Sequence, residues 1–348
     1  MKSNSKIYLA LLTMVTTMAC AFVQNMVFPP TPTVIPPTPS ATPLPPTSTP
    51  TFPPPTATVV FEAACPSLLA DIIEVATDTT VRFADDEEPT RFLVIYTIRD
   101  DKLGQRQDIF VPEELRSEWD ARAAHESIWN YFASLIPEED RSYVTEFSIM
   151  SDGTDNVLGA VGPTFDNLSN WGLTVDILDT NDPYLLTFTL MHEFGHLRTL
   201  NSKQVSLDPL VFHNPDEQDI RERAISACHQ YFTGMGCTRP ASYLNEFFNR
   251  YWADFYPEWQ EIELVEDEDA RYSLLYDFYK IYQDQFLTEY AATSPLEDIA
   301  ESWAFFVLSP KPELNSIANE KILFFYEYPE LVILRQEILT RLCTEFPK

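Results

Sequence analysis

Thr187-Phe-Thr-Leu-Met-His192-Glu193-Phe-Gly-His196-Leu197 places two histidines one helical turn apart inside an apolar, helix-compatible run. On a helix the i, i+4 spacing puts both imidazoles on one face. Two neutral imidazole nitrogens so placed can share one zinc ion, while Glu193, one step round the helix, can reach a water held by that ion rather than the ion itself. This is the H-E-x-x-H pattern of a zinc hydrolase, and it makes Zn2+ the expected cofactor. Just upstream, Asn181-Asp-Pro has the form of a helix start.

Working outward toward the N-terminus, Trp171-Gly-Leu-Thr-Val-Asp-Ile-Leu alternates apolar and polar residues, which predicts a half-buried or edge strand. As an exposed strand, residues 171–179 would align an extended peptide by strand addition. Residues 143–150 predict another strand, closed by a Ser-Asp-Gly turn, and Arg91-Phe-Leu-Val-Ile-Tyr-Thr-Ile predicts a third. Between them Pro112-Glu-Glu-Leu opens a helical pattern through Trp119, His125, Ile128, Tyr131 and Leu135 that stops at Pro137. His125 lies in that pattern away from the motif and is expected to have no catalytic role. Helix, strands and then a metal-binding helix make an α+β fold.

Beyond Asn201 the chain reads as mostly helical, with an aromatic stripe from Tyr231 to Trp259 whose helical spacing predicts core packing. The acidic run 261–269 is expected to be a solvated loop, since it lacks the ordered ligand spacing of an EF-hand. A helical stretch over 320–343 is expected to close the domain.

Residues 1–20 have the form of an export signal: Lys2 and Lys6, an apolar stretch over 7–15, and small residues before Cys20. Thr17-Met-Ala-Cys20 also resembles a bacterial lipobox, with Thr17 where that motif usually has Leu. The chain is therefore expected to be exported, as a cell-surface lipoprotein lipidated at Cys20 or otherwise as a secreted protein. Residues 21–60 form a Pro/Thr-rich linker; such composition favours extended polyproline II, and thirty residues at about 3.1 Å each span on the order of 90 Å. The organisation expected is thus a signal peptide (1–20), a linker (21–60) and one catalytic domain (61–348), whose part 61–200 is α+β and whose part 201–348 is helical.

Formal net charge is −30, and the only charged residues before Glu62 are the two lysines, so the acidic surplus lies entirely in the remainder. Such a surface repels phosphate backbones, which argues against nucleic acid and leaves membrane contact only to an N-terminal lipid anchor. It suits high solubility or cationic substrates. Four cysteines remain besides Cys20, allowing three pairings. Cys228 with Cys237, closing a short loop, and Cys65 with Cys343, tying the domain ends, are the favoured pairs.

A catalytic zinc needs three protein ligands and an open position. The metzincin continuation of the motif would need Gly at 199 and His at 202, where this chain has Thr199 and Ser202. His213 and His229 are alternatives without a recognisable context. Glu297-Asp-Ile-Ala-Glu301 is the better candidate: its two carboxylates share one helix face, so that Glu297 could bind zinc and Glu301 could accept the second N–H of a zinc-bound histidine.

With these pieces the chain resembles the gluzincin metallopeptidases, in which H-E-x-x-H is completed by a glutamate on a later helix. More closely, it resembles the catalytic domain of the anthrax lethal factor type, through His192-Glu-Phe-Gly-His196 and Tyr290-Ala-Ala-Thr-Ser-Pro-Leu-Glu297-Asp-Ile-Ala-Glu301. The resemblance implies a zincin-like domain with His192, His196 and Glu297 as zinc ligands and Glu193 as base. It also implies that Tyr290 supports the oxyanion. The match covers two short segments; the interval from His196 to Glu297 is longer than in those relatives and contains Cys228 and Cys237, and the toxin's targeting and docking domains have no counterpart. The function expected is zinc-dependent hydrolysis of a peptide or protein substrate. The rival readings are a surface-anchored binding protein with a structural or degenerate zinc site, and a zinc hydrolase of a cell-wall amide.

Overall fold

The computed structural model describes residues 65–78, 90–153 and 157–347. The export signal, Cys20 and the Pro/Thr-rich tract lie outside them.

The α+β arrangement expected from the sequence is the one found. Helix α1 (Pro66–Asp78) precedes a hairpin of β1 (Arg91–Arg99) and β2 (Lys102–Asp108). Asp100 and Asp101, between them, both take positive φ (48° and 62°), the backbone of a two-residue hairpin turn that short polar side chains tolerate. The Arg141 guanidinium pairs with the Asp101 carboxylate, and Trp129 Nε1 donates to the Asp101 carbonyl at 3.0 Å, which fixes the hairpin tip. Next come helix α2 (Arg122–Leu135), β3 (Val144–Ser151), β4 (Gly159–Pro163), β5 (Trp171–Asp176) and helix α3 (Pro183–Leu200). The helical pattern from Pro112 is interrupted at Ala121, whose backbone leaves the helical region before α2 begins. Buried His125 is bonded to Tyr96 Oη (2.9 Å) and to the Glu118 carbonyl (2.8 Å), a packing role.

The strands form one five-stranded sheet in the order β2-β1-β3-β5-β4, with β3 and β5 parallel and the other neighbours antiparallel. The segment 171–179 is therefore not an exposed strand. Its strand part, β5, is nearly all buried and is paired on both sides; residues 178–181 form a short 3-10 turn. The edge next to α3 is β4, Gly-Ala-Val-Gly-Pro, which has no side-chain alternation to announce a strand. Asp176 N–H donates to the Leu158 carbonyl and Thr164 N–H to the Asn170 carbonyl. In an antiparallel ladder bonded pairs alternate, so Ala160 and Gly162 face β5, while the main-chain groups of Gly159, Val161 and Pro163 face outward.

After α3 a two-stranded ribbon, β6 (Val205–Leu207) with β7 (Gly236–Thr238), flanks helix α4 (Gln218–Ala227). A Cβ on Gly236 would lie 2.4 Å from the Ser206 carbonyl oxygen, so only glycine allows that pairing. Six further helices complete the described residues: α5 (Tyr243–Tyr251), α6 (Tyr256–Glu263), α7 (Glu268–Ile281), α8 (Pro295–Leu308), α9 (Ile317–Phe324) and α10 (Pro329–Glu345). The expected single stretch 320–343 is thus two helices, separated by a turn and restarted at Pro329. The acidic run is likewise split, its ends lying in α6 and α7, with Glu263 buried. The aromatic stripe is core, as its spacing predicted: Trp252 meets the rings of Phe255, Trp259, Phe278 and Phe286. Disulfides join Cys65 to Cys343, clamping the start of α1 to α10, and Cys228 to Cys237, clamping the end of α4 to β7. Among the described residues no helix is long and apolar enough to cross a membrane.

Candidate metal centre

Two buried helices meet at the site. Helix α3 starts where Asn181-Asp-Pro predicted: the Asp182 carboxylate accepts from the N–H groups of Tyr184 (2.8 Å) and Leu185 (3.2 Å), and Pro183 occupies the first turn. From Thr187 to Leu200 nearly every residue is buried. The polar side chains in this stretch must therefore find partners within the protein or a ligand. Helix α8 starts on Ser294, whose hydroxyl accepts from Glu297 N–H at 3.1 Å, with Pro295 following. Ser294-Pro-Leu-Glu297 has the spacing of a capping box. Here the glutamate turns toward the histidines instead of back to the cap. All residues of α8 are buried.

The helices can approach closely because of Gly195. A Cβ there would lie 3.0 Å from Trp303 Cδ1 and 3.1–3.2 Å from the Ala300 main chain. This contact brings His192 and His196 against Glu297. His192 Nε2 lies 3.1 Å from His196 Nε2 and 3.0 Å from Glu297 Oε2, and His196 Nε2 lies 3.1 Å from the same oxygen. His192, His196 and Glu297 form a buried group that could hold a metal ion. A tetrahedral site with bonds of about 2.0–2.1 Å separates its donor atoms by roughly 3.3 Å, so only small outward shifts would be needed to admit an ion. Two imidazoles and one carboxylate are also the donor set of open catalytic sites, so the residues fit the metal.

The surroundings prepare these donors. Glu301 Oε1 lies 2.9 Å from His192 Nδ1, which leaves Nε2 to face the other two donors. Burial acts to raise the Glu297 pKa, but the His196 charge and hydrogen bonds from both histidines override it and hold the carboxyl well below its usual range. Burial lowers His192, while hydrogen bonds to Glu297 and Glu301 and the two carboxylate charges raise it further, to well above the usual imidazole value. Glu193 is raised by burial, against the opposing influence of His196 and His192. Its Oε2 is buried with no hydrogen-bond partner among the described residues. The Val161 main chain, on the outward side of β4, bonds the same carboxyl group. Gly159 also packs against this helix: a Cβ on it would meet Thr189 Cγ2 at 3.0 Å and Glu193 Cγ at 3.4 Å.

Tyr290 begins the short 3-10 turn Tyr290–Thr293 just before α8. Its ring centroid is 5.7 Å from that of His192 and the residue is 37% exposed. Burial of the hydroxyl, the carboxylates of Glu297, Glu193 and Glu301, and a hydrogen bond to Glu297 hold its pKa well above the ordinary phenol value. His213 and His229 are exposed and stand apart from the donor group, His213 being packed on Phe165 and Phe212. Three participants were not read from the sequence. Gly159 and Val161 belong to a strand with no strand-like composition, and Thr288, whose hydroxyl donates to Glu301 Oε2 at 2.8 Å, has no local pattern that points to it. Ser294 was detectable, through its capping-box spacing. No protein-family model, curated protein or solved structure matches the chain.

Proposed function

We propose that this protein is a zinc-dependent metalloendopeptidase of gluzincin type, exported and tethered to a cell surface, acting on a peptide or protein substrate. The observation that carries the reading is the convergence of His192 Nε2, His196 Nε2 and Glu297 Oε2 within 3.0–3.1 Å of one another, beside a Glu193 carboxylate with one oxygen unpartnered. A closed structural site would call for a fourth protein donor, and among the described residues none joins the three. Zinc held by these residues would lower the pKa of water and polarise the scissile carbonyl.

The chain's own residues supply the remaining functions. Glu193, kept from bulk water and raised in pKa by burial, accepts a proton from the attacking water at Oε2 and returns it to the leaving amine. Tyr290, held protonated, donates its O–H to the oxygen that gains charge, an interaction that strengthens in the transition state. Strand β4 offers the outward N–H and C=O groups of Gly159 and the outward C=O of Val161 to an extended substrate, the Val161 N–H being engaged by Glu193, and Pro163, lacking an N–H, limits the ladder at its far end. This strand takes the aligning role that the sequence suggested for 171–179.

Export is supported by the two disulfides, which persist in oxidising compartments, and by the signal-like start of the chain. The test is digestion of a peptide library by the zinc-loaded wild type and by Glu193→Gln. The variant is expected to keep zinc and to lose activity by a factor of about 10²–10⁴. Equal cleavage by both would remove Glu193 as the base.

A further inference from the structure

The Glu301 carboxylate has two oxygens, and both are engaged. Oε1 meets His192 Nδ1 at 2.9 Å, and Oε2 accepts from the Thr288 hydroxyl at 2.8 Å. The Thr288 oxygen in turn accepts the N–H of Ala291 at 3.1 Å. A threonine hydroxyl has one hydrogen to give. Because its oxygen already receives the Ala291 N–H, that hydrogen is free to go to Glu301. An ionised Glu301 only accepts, so it selects the His192 tautomer with the proton on Nδ1 and the lone pair on Nε2. Ala291 belongs to the turn Tyr290–Thr293. An unbroken series of three hydrogen bonds therefore runs from the turn that carries Tyr290 to Nδ1 of His192, whose other nitrogen, Nε2, faces Glu297.

We propose that Thr288 is a positioning residue that couples metal affinity at His192 to the order of the Tyr290 turn. The inference rests on the metallopeptidase reading given above and extends it. Ion binding at Nε2 favours the tautomer that Glu301 enforces, and Glu301 is in turn oriented by Thr288. Coupling of this kind is reciprocal: a turn that loosens weakens the metal, and a bound metal tightens the turn. The arrangement would make Tyr290 available in its working position chiefly when the site is loaded.

The test uses the full protein with zinc alone as probe, in wild type, Thr288→Val and Thr288→Ser. Valine keeps the branched shape and removes the hydroxyl; serine keeps the hydroxyl. Competition with a chromogenic chelator is expected to show zinc held about 10-fold more weakly by Thr288→Val, the lower end of losses seen when a partner of a metal ligand is removed, with Thr288→Ser close to wild type. Amide hydrogen exchange over 289–293 is expected to slow on zinc binding in wild type and Thr288→Ser, and to slow less in Thr288→Val. If wild type binds zinc and Thr288→Val binds it equally tightly, or if zinc leaves exchange over 289–293 unchanged, the coupling is overturned while the metal site stands. A wild type that binds no zinc overturns the proposed function, and this inference with it.

Discussion

Helices α3 and α8 are built alike and use their polar residues differently. Both begin on a capped turn with proline at the first position, both are buried along most or all of their length, and both carry site residues at i, i+4. In α3 the motif residues His192, Glu193 and His196 all serve the site. In α8 the polar residues divide between two faces: Glu297 and Glu301 turn to the histidines, while Asp298 turns away to Lys321 on α9. The Lys321 Nζ–Asp298 Oδ2 distance is 2.6 Å with both side chains fully buried, and Trp252 Nε1 donates to the same oxygen at 2.7 Å. Lys321 also lies over the Phe286 ring at 4.2 Å. The lesson is that a buried helix can present ligands on one face only if another attachment sets its rotation. For α8 an ion pair is one such attachment; for α3, Tyr131 Oη bonded to Thr187 Oγ1 (2.6 Å), Tyr143 Oη donating to the Leu197 carbonyl (3.1 Å) and the Gly195 contact do comparable work without charge.

This contrast can be broken most severely at Lys321. Lys321→Met leaves a buried Asp298 without its cation, and removing one partner of a buried pair typically costs about 3–5 kcal/mol. Denaturant unfolding is expected to show that loss equally in the metal-free and zinc-loaded protein, with Asp298→Asn added in the same chain recovering much of it. A loss seen only with zinc bound would mean that the pair serves the metal rather than the helix. A smaller effect is expected at Gly195→Ala. The added methyl meets Trp303 and the Ala300 main chain, an overpacking worth about 1–3 kcal/mol. Because it separates α3 from α8, zinc affinity should fall along with stability, as read by chelator competition and thermal unfolding. Unchanged zinc affinity would show that the helix spacing is not what brings Glu297 to the histidines.

How far the sequence could be read follows from where each signal resides. His192, Glu193 and His196 lie within one turn of one helix, and Asp182-Pro183 marks its start, so everything needed is local. Glu297 was legible as half of an i, i+4 carboxylate pair and so as a candidate third ligand, but a pair of that kind is common on solvated helices, and its place beside histidines 101 and 105 residues away has no local signal; the resemblance strengthened the choice. The edge strand was missed because Gly159-Ala-Val-Gly-Pro163 has no apolar alternation, and that hid the fact that β5 is covered; a strand of plain composition made its neighbour look like an edge. Strand β2, Lys-Leu-Gly-Gln-Arg-Gln-Asp, escaped for a related reason: it is a polar, largely exposed edge strand. Thr288 and the Asp298–Lys321 pair depend on segments packed together by the whole fold, and no local pattern encodes them.

The most direct test of the central claim is the zinc content of the purified protein beside the same protein carrying Glu297→Ala. One zinc per wild-type chain and little in the variant is the predicted result, since the variant keeps both histidines and loses the oxygen that lies 3.0–3.1 Å from each. Full zinc in Glu297→Ala, or none in the wild type after reconstitution, would contradict the three-donor centre on which the proposed chemistry depends.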